Sequence, residues 1–200
     1  MLWVPEHLAD VTWNRICCKM YRFIAFLRAI NAGPDRAVKM EFLRQVFRAL
    51  HFSDVTTFIG SGNVMFRTST KNARALESKI EKRLRRALGY EVAAFVRTET
   101  ELAKIVNCSQ FRLAEADHRD FNIIFLAHPL GERLRREVMA LRTDTDEFRI
   151  HGREIYWLRR KKQGRVSFSN VPLERTLGRP FTIRGAKTVK KIALRYACNV

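Results

Sequence analysis

Tyr21 to Arg67 reads YRFIAFLRAINAGPDRAVKMEFLRQVFRALHFSDVTTFIGSGNVMFR. Its apolar spacing changes twice. Phe23 to Leu27 is a continuous apolar run of strand length that stops at Arg28, and Asn31-Ala32-Gly33-Pro34-Asp35 is turn chemistry. From Lys39 the period becomes helical, with Met40, Phe42, Leu43, Val46, Phe47 and Leu50 recurring at three and four residues. Val55 to Ile59 is β-branched and aromatic, as strands prefer. Gly60-Ser61-Gly62 turns the chain, and Asn63 to Arg67 returns as a second strand. A strand, a helix and a hairpin in this order are the first four elements of a split βαβ unit.

The following segments complete it. Ala73 to Leu88 is an amphipathic helix with Leu76, Ile80, Leu84 and Leu88 on one face and Lys79, Lys82, Arg83, Arg85 and Arg86 on the other. Gly89 is placed to stop it, and Val92 to Val96 reads as the fourth strand. The order then recurs: strand Phe121–Leu126, helix Glu132–Leu141, and a hairpin of Phe148–Ile150 and Glu154–Leu158 across His151-Gly152-Arg153. A helix from Phe168 to Leu177, a strand from Pro180 to Ile183 and a basic helix from Ala186 to Ala197 close the chain. The expected fold is α+β, two ferredoxin-like βαββαβ units with a C-terminal helix. Residues 19–99 form the first unit, 100–120 a partly helical connection, and 121–200 the second unit with its final helix. Residues 1–18 fit no periodic element and read as a poorly ordered N-terminal extension, or as sequence upstream of a start at Met20.

Composition bounds the function. With 46% hydrophobic and 10% aromatic residues among 200, the chain can bury a core. Thirty-eight Lys and Arg against 20 Asp and Glu give +18. Such a surface attracts polyanions, nucleic acid first, although charge spread along the whole chain also serves plain solvation. Cys17, Cys18, Cys108 and Cys198 form neither a disulfide framework nor a zinc spacing, and the five histidines show no HxxxH or HExxH. No metal or other cofactor is called for. The start lacks a basic segment followed by an apolar run, and no apolar run approaches the roughly 20 residues of a membrane helix, so the expected setting is cytoplasmic.

The residues also resemble a known family. Phe26-Leu27-Arg28-Ala29-Ile30-Asn31-Ala32-Gly33, then Val38-Lys39-Met40, then Ser61-Gly62-Asn63-Val64-Met65-Phe66 are similar to the signature of a bacterial family called domain of unknown function 1697. Gly152-Arg153-Glu154-Ile155-Tyr156, Leu173-Glu174-Arg175-Thr176-Leu177 and Thr182-Ile183-Arg184 resemble its later motifs, so the likeness runs from about Tyr21 to Ala193. It implies a ferredoxin-like pair and no established activity. Pro34 stands where the family commonly has a second glycine, and Gly185-Ala186 where it has Asn-Trp.

Two places could carry chemistry. In a split βαβ unit the first two strands are parallel with the third between them, so the loop after strand 1 and the 60–63 turn share one edge. That brings Arg28, Asn31, Lys39, Ser61 and Asn63 together as an anion cradle, unless the asparagines and serine only cap their turns. The second place is basic. Arg159, Arg160, Lys161, Lys162 and Arg165 follow Tyr156-Trp157, and Arg184 and Lys187 lie near the C-terminus. These suit phosphate contacts of the kind that hold single-stranded nucleic acid on such sheets, although Trp157 also suits a core. There is no Walker loop, and the Gly60-Ser61-Gly62 turn lies between strands, where a nucleophile elbow needs strand to helix. Cys108 with His118 as nucleophile and base, and Asp144, Asp146 and Glu147 as a magnesium site, are weaker readings than a structural cysteine and a solvated loop. The expected activity is binding of an anionic partner, nucleic acid or a nucleotide-like ligand. The alternative is an enzyme for a small phosphorylated or carboxylated substrate at the 28–63 edge.

Overall fold

A computed structural model describes residues 19–28, 30–31, 37–109, 120–159 and 171–196. The first half runs β1 (Tyr21–Leu27), α1 (Met40–Arg48), β2 (Ser53–Thr57), β3 (Asn63–Thr68), α2 (Ala73–Leu88), β4 (Ala94–Thr98) and α3 (Glu99–Val106). The second runs β5 (Asp120–Leu126), α4 (Glu132–Ala140), β6 (Asp146–His151), β7 (Glu154–Arg159), α5 (Val171–Leu177), β8 (Phe181–Gly185) and α6 (Ala186–Tyr196). Two antiparallel sheets result, in the orders β2-β3-β1-β4 and β6-β7-β5-β8. Element order and strand order are ferredoxin-like in both halves, and the fold is α+β as the sequence leads one to expect.

Local chemistry sets the boundaries. The Asn72 side chain accepts the N–H groups of Arg74 and Ala75 at the start of α2, and Gly89 ends that helix at φ 78°, where only glycine rests without strain. Thr98 and Glu101 form a reciprocal capping box that starts α3 directly after β4. Two strands differ from their sequence reading. β2 lies at Ser53–Thr57, with a break of register to β3 at Asp54 (φ 49°), and Phe58 and Ile59 fall in the turn, Ile59 at φ 58°. β4 starts at Ala94, since Val92 is buried by packing outside the ladder.

Both faces of both sheets are buried. Phe23, Ala25 and Leu27 of β1 alternate inward to meet α1 and α2, while Ile124 and Leu126 of β5 pack with α4 and α5. The intervening residues build a third, central core. There Ile24, Phe26 and Phe95 of the first sheet meet Ile123, Phe125 and Tyr156 of the second, flanked by Leu102 of α3 and Val189 and Ile192 of α6. Phe26 and Phe125 stack at its centre with ring centroids 4.1 Å apart. Each large apolar side chain so placed contributes about 1.5–3 kcal/mol.

The outer edge of β4 is masked by carboxylates. Ala94 donates its N–H to Glu81 at 2.9 Å, Val96 to Glu77 at 2.8 Å and Thr98 to Glu101 at 2.8 Å. Every second N–H, the set that points away from β1, thus has an acceptor, and no row of donors is left to template another strand. Among the described residues no helix is long and apolar enough to cross a membrane.

Candidate functional site

The two polar turns of the first half do meet. Asn31, held at φ 56°, donates Nδ2 to the Gly60 carbonyl at 2.5 Å and accepts the Val38 N–H at 2.6 Å, so one amide ties the β1–α1 loop to the β2–β3 turn. Asn63 donates to the Phe58 carbonyl and to Ser61 Oγ, both at 2.9 Å. Gly62 has φ 71°, and a Cβ there would approach Ile30 Cβ to 3.0 Å. The edge is closed by its own bonds. Lys39 stands exposed just before α1 with no side-chain capping bond. Arg28 faces elsewhere: it donates to Glu174 at 3.3 Å and covers the Phe181 ring at 5.5 Å.

Arg184 is not a surface cation. It is 9% exposed, and all five of its N–H donors are used. Nε donates to Asn63 Oδ1 at 2.6 Å, Nη1 to Thr182 Oγ1 and the Ile183 carbonyl, and Nη2 to the Leu27 and Ser61 carbonyls at 2.8 Å. No donor remains for a phosphate, which corrects its reading as a phosphate contact. Burial pushes its pKa down to about 10, and among the described residues no carboxylate pairs with it.

Arg97 on β4 mirrors it. Arg97 pairs in register with Ile24 as Arg184 does with Ile123. Fully buried, it crosses to the second half, donating Nε to Glu154 at 2.6 Å and Nη2 to the Leu126 carbonyl at 2.8 Å, while Arg184 crosses to the first. Each guanidinium also covers the central phenylalanine of the opposite sheet, Arg97 over Phe125 and Arg184 over Phe26. Glu154 stands where Asn63 stands in the other half. Around Arg97, burial raises the Glu77 carboxyl. Burial works the same way on Glu101, but the Thr98 N–H and Arg153 outweigh it and hold that carboxyl below its usual range.

The remaining basic candidates separate. Arg159 pairs with Asp146 at 3.1 Å and lies over the Trp157 ring. Trp157 is core, packed on Phe148 with its indole N–H on Asp146. Burial raises the Asp146 carboxyl, yet the bonds from Trp157, Thr145 and Arg159 bring it below its usual range, so this aspartate serves the fold. Lys187 is exposed on α6. Arg160, Lys161, Lys162, Arg165, Pro34 and His118 lie outside the described residues. Cys108 packs on the central core, and burial raises the Tyr156 hydroxyl there. Ala186 begins α6 in that same core.

A cleft opens where the halves meet. It encloses about 640 Å³ between the C-terminal part of α2, the start of β4 and the start of β8, lined by Arg28, Ser78, Glu81, Lys82, Arg85, Glu91 and Pro180. It continues past Ser78, Glu81, Ala93 and Pro180 into a second volume of about 500 Å³, bounded by Arg74, His128 and Arg179. Arg74 is held against the His128 ring and donates to the Ala127 carbonyl at 2.6 Å. Burial and the Arg74 charge push the His128 pKa down. Burial raises the Glu81 carboxyl, and Glu91 adds to the shift. Glu91 pairs with Arg85 at 3.3 Å. Of the predicted cradle only Arg28 lines this cleft. The signal that would have found the rest is the spacing 74, 78, 81, 82, 85 on α2, one helical stripe of polar residues beside the apolar one.

The sequence model of one family, described as a protein of unknown function, DUF1697, matches residues 20–156. The chain belongs to that family. The match spans the α2 stripe and both polar turns and stops short of Arg179, Arg184 and the 173–184 motifs. A solved structure, of the conserved bacterial protein SP0830 from Streptococcus pneumoniae, is similar with a TM-score of 0.66 and 23% identity, covering 88% of this chain and 98% of that one. At that identity the likeness speaks to the DUF1697 fold alone. No curated protein matches the chain.

Proposed function

We propose that the protein binds an anionic, phosphorylated ligand of nucleotide-like character in the cleft between its halves. One observation supports this reading: Arg28, Arg74, Lys82, Arg85 and Arg179 converge on a continuous concave site whose other charged members are Glu77, Glu81 and Glu91, and Glu77 is paired with Arg97 and Arg153 of the core. A cleft lined mainly by one sign of charge concentrates ions of the other sign, and volumes of this order suit small ligands. The protein's +18 charge adds a long-range attraction of the same sign. Base stacking on a sheet face, as ferredoxin-like RNA binders use, finds no support, because both faces of both sheets are covered. Catalysis at the 28–63 edge loses its main support too, since Asn31, Ser61 and Asn63 are committed to one another and to the backbone.

The test is a thermal-shift series with phosphorylated metabolites, nucleotides and inorganic phosphate at several salt concentrations. A ligand at a hundred times its Kd stabilises the fold by about 2.7 kcal/mol, so a clear rise in Tm is expected, shrinking with salt and lost in an R28A/R74A variant that keeps its circular dichroism. No shift with any phosphorylated compound would sink the reading.

A further inference from the structure

The cations of the cleft are not spread evenly. Arg74, Ser78, Lys82 and Arg85 fall at intervals of four, four and three residues on α2, so they lie along one wall. From Arg74 to Lys82 is eight residues, about 12 Å at 1.5 Å per residue. Opposite the inner end stands Arg179, and opposite the outer end Arg28. Lys82 and Arg179, one at each end, have neither an ion pair nor a hydrogen bond among the described residues. Between the two ends the wall changes character. Ser78, Glu81, Ala93 and Pro180 line both volumes, the Glu81 carboxyl anchored to the Ala94 N–H, and Glu77 lines the inner one with its carboxyl on the Val96 N–H and beside Arg97 and Arg153.

We propose that the cleft takes a small linear molecule phosphorylated at both ends, one phosphate between Arg28 and Lys82 and the other between Arg74 and Arg179. This deepens the anion-binding reading and rests on it. The Glu81 carboxylate, shared by the two volumes, selects the class. A ligand whose charge recurs every few ångströms, such as a nucleic acid strand, would set a phosphate beside Glu81, and like charges at such range cost free energy. A ligand with an uncharged middle avoids this and leaves Glu81 free to receive a hydroxyl or amide donor.

The experiment is a titration calorimetry series with α,ω-alkanediyl bisphosphates of increasing chain length, the matching n-alkyl monophosphates, inorganic phosphate and a ten-nucleotide single-stranded RNA. A charge-assisted contact is worth about 1.5–3 kcal/mol, so the best bisphosphate should bind at least about tenfold tighter than its monophosphate, with a maximum at an intermediate chain length. K82A and R179A, both surface changes checked by circular dichroism, should each bring bisphosphate affinity down to the monophosphate level. E81Q should let the RNA bind more tightly and leave the bisphosphate preference in place. Equal affinity for mono- and bisphosphates overturns this proposal while the anion-binding reading stands. RNA binding more tightly than every bisphosphate overturns it in favour of a nucleic-acid site, and no binding by any phosphate compound overturns both.

Discussion

At the scale of one residue, Arg184 holds the two halves together from the inside. Its removal as Arg184→Ala strands Asn63 Oδ1 and the Leu27 and Ser61 carbonyls in a buried place. Buried groups left unpaired cost about 1–3 kcal/mol each, so urea unfolding should show a loss of about 3–5 kcal/mol, with Lys187→Ala on the exposed face of α6 staying within about 0.5 kcal/mol. A loss below about 1 kcal/mol for Arg184→Ala would show that the clamp does not hold. The sequence carried half of this. Phe181 and Ile183 alternate with Thr182 and Arg184, which puts the arginine on the face opposite the α4–α5 core. In a single sheet that face meets solvent, and a basic residue there reads as a surface contact. The second sheet buries it, and no local pattern announces a second sheet. Asn63 was missed in the same way: its role in the turn was legible, its role as the acceptor for an arginine 121 residues away was not.

At the scale of elements, the two edge strands β4 and β8 are register equivalents with different protection. The N–H groups of Ala94, Val96 and Thr98 end on carboxylates. By the same register those of Phe181 and Ile183 point away from β5, and among the described residues no acceptor meets them. Amide hydrogen exchange should therefore be slow at Ala94 and Val96, limited by opening of the whole first sheet, and orders of magnitude faster at Phe181 and Ile183. Similar rates at the four amides would contradict the masking. Elements whose limits are set by near neighbours were readable to the residue. The bounds of α2 follow from the Asn72 cap and Gly89, and the sequence reading of Ala73–Leu88 coincides with the helix. Limits set by packing were not. β2 stops early because Ile59 takes left-handed backbone, and Ile59 is a 57% exposed β-branched residue in a conformation that sequence rules assign to glycine or asparagine. The cleft was half legible for a related reason. Its α2 stripe is periodic, whereas Arg179 and Pro180 reach it from the bend before β8, about a hundred residues later in the chain.

At the scale of the molecule, the halves bury a common core and exchange arginines across it. Each arginine starts on the last strand of its own half and ends on the first strand and hairpin of the other. The seam has the reciprocity of an interface between identical subunits, built within one chain. Such a seam does not distinguish a half of its own molecule from the same half of another copy, because the partners offered are the same. The halves are therefore exchangeable parts. Refolding from denaturant at high protein concentration should yield intertwined dimers, each seam assembled from two chains, which persist on dilution until the protein is unfolded again. Size-exclusion chromatography after dilute and concentrated refolding reads this directly, and an identical monomeric profile from both would show that the connection after α3 closes each molecule upon itself first.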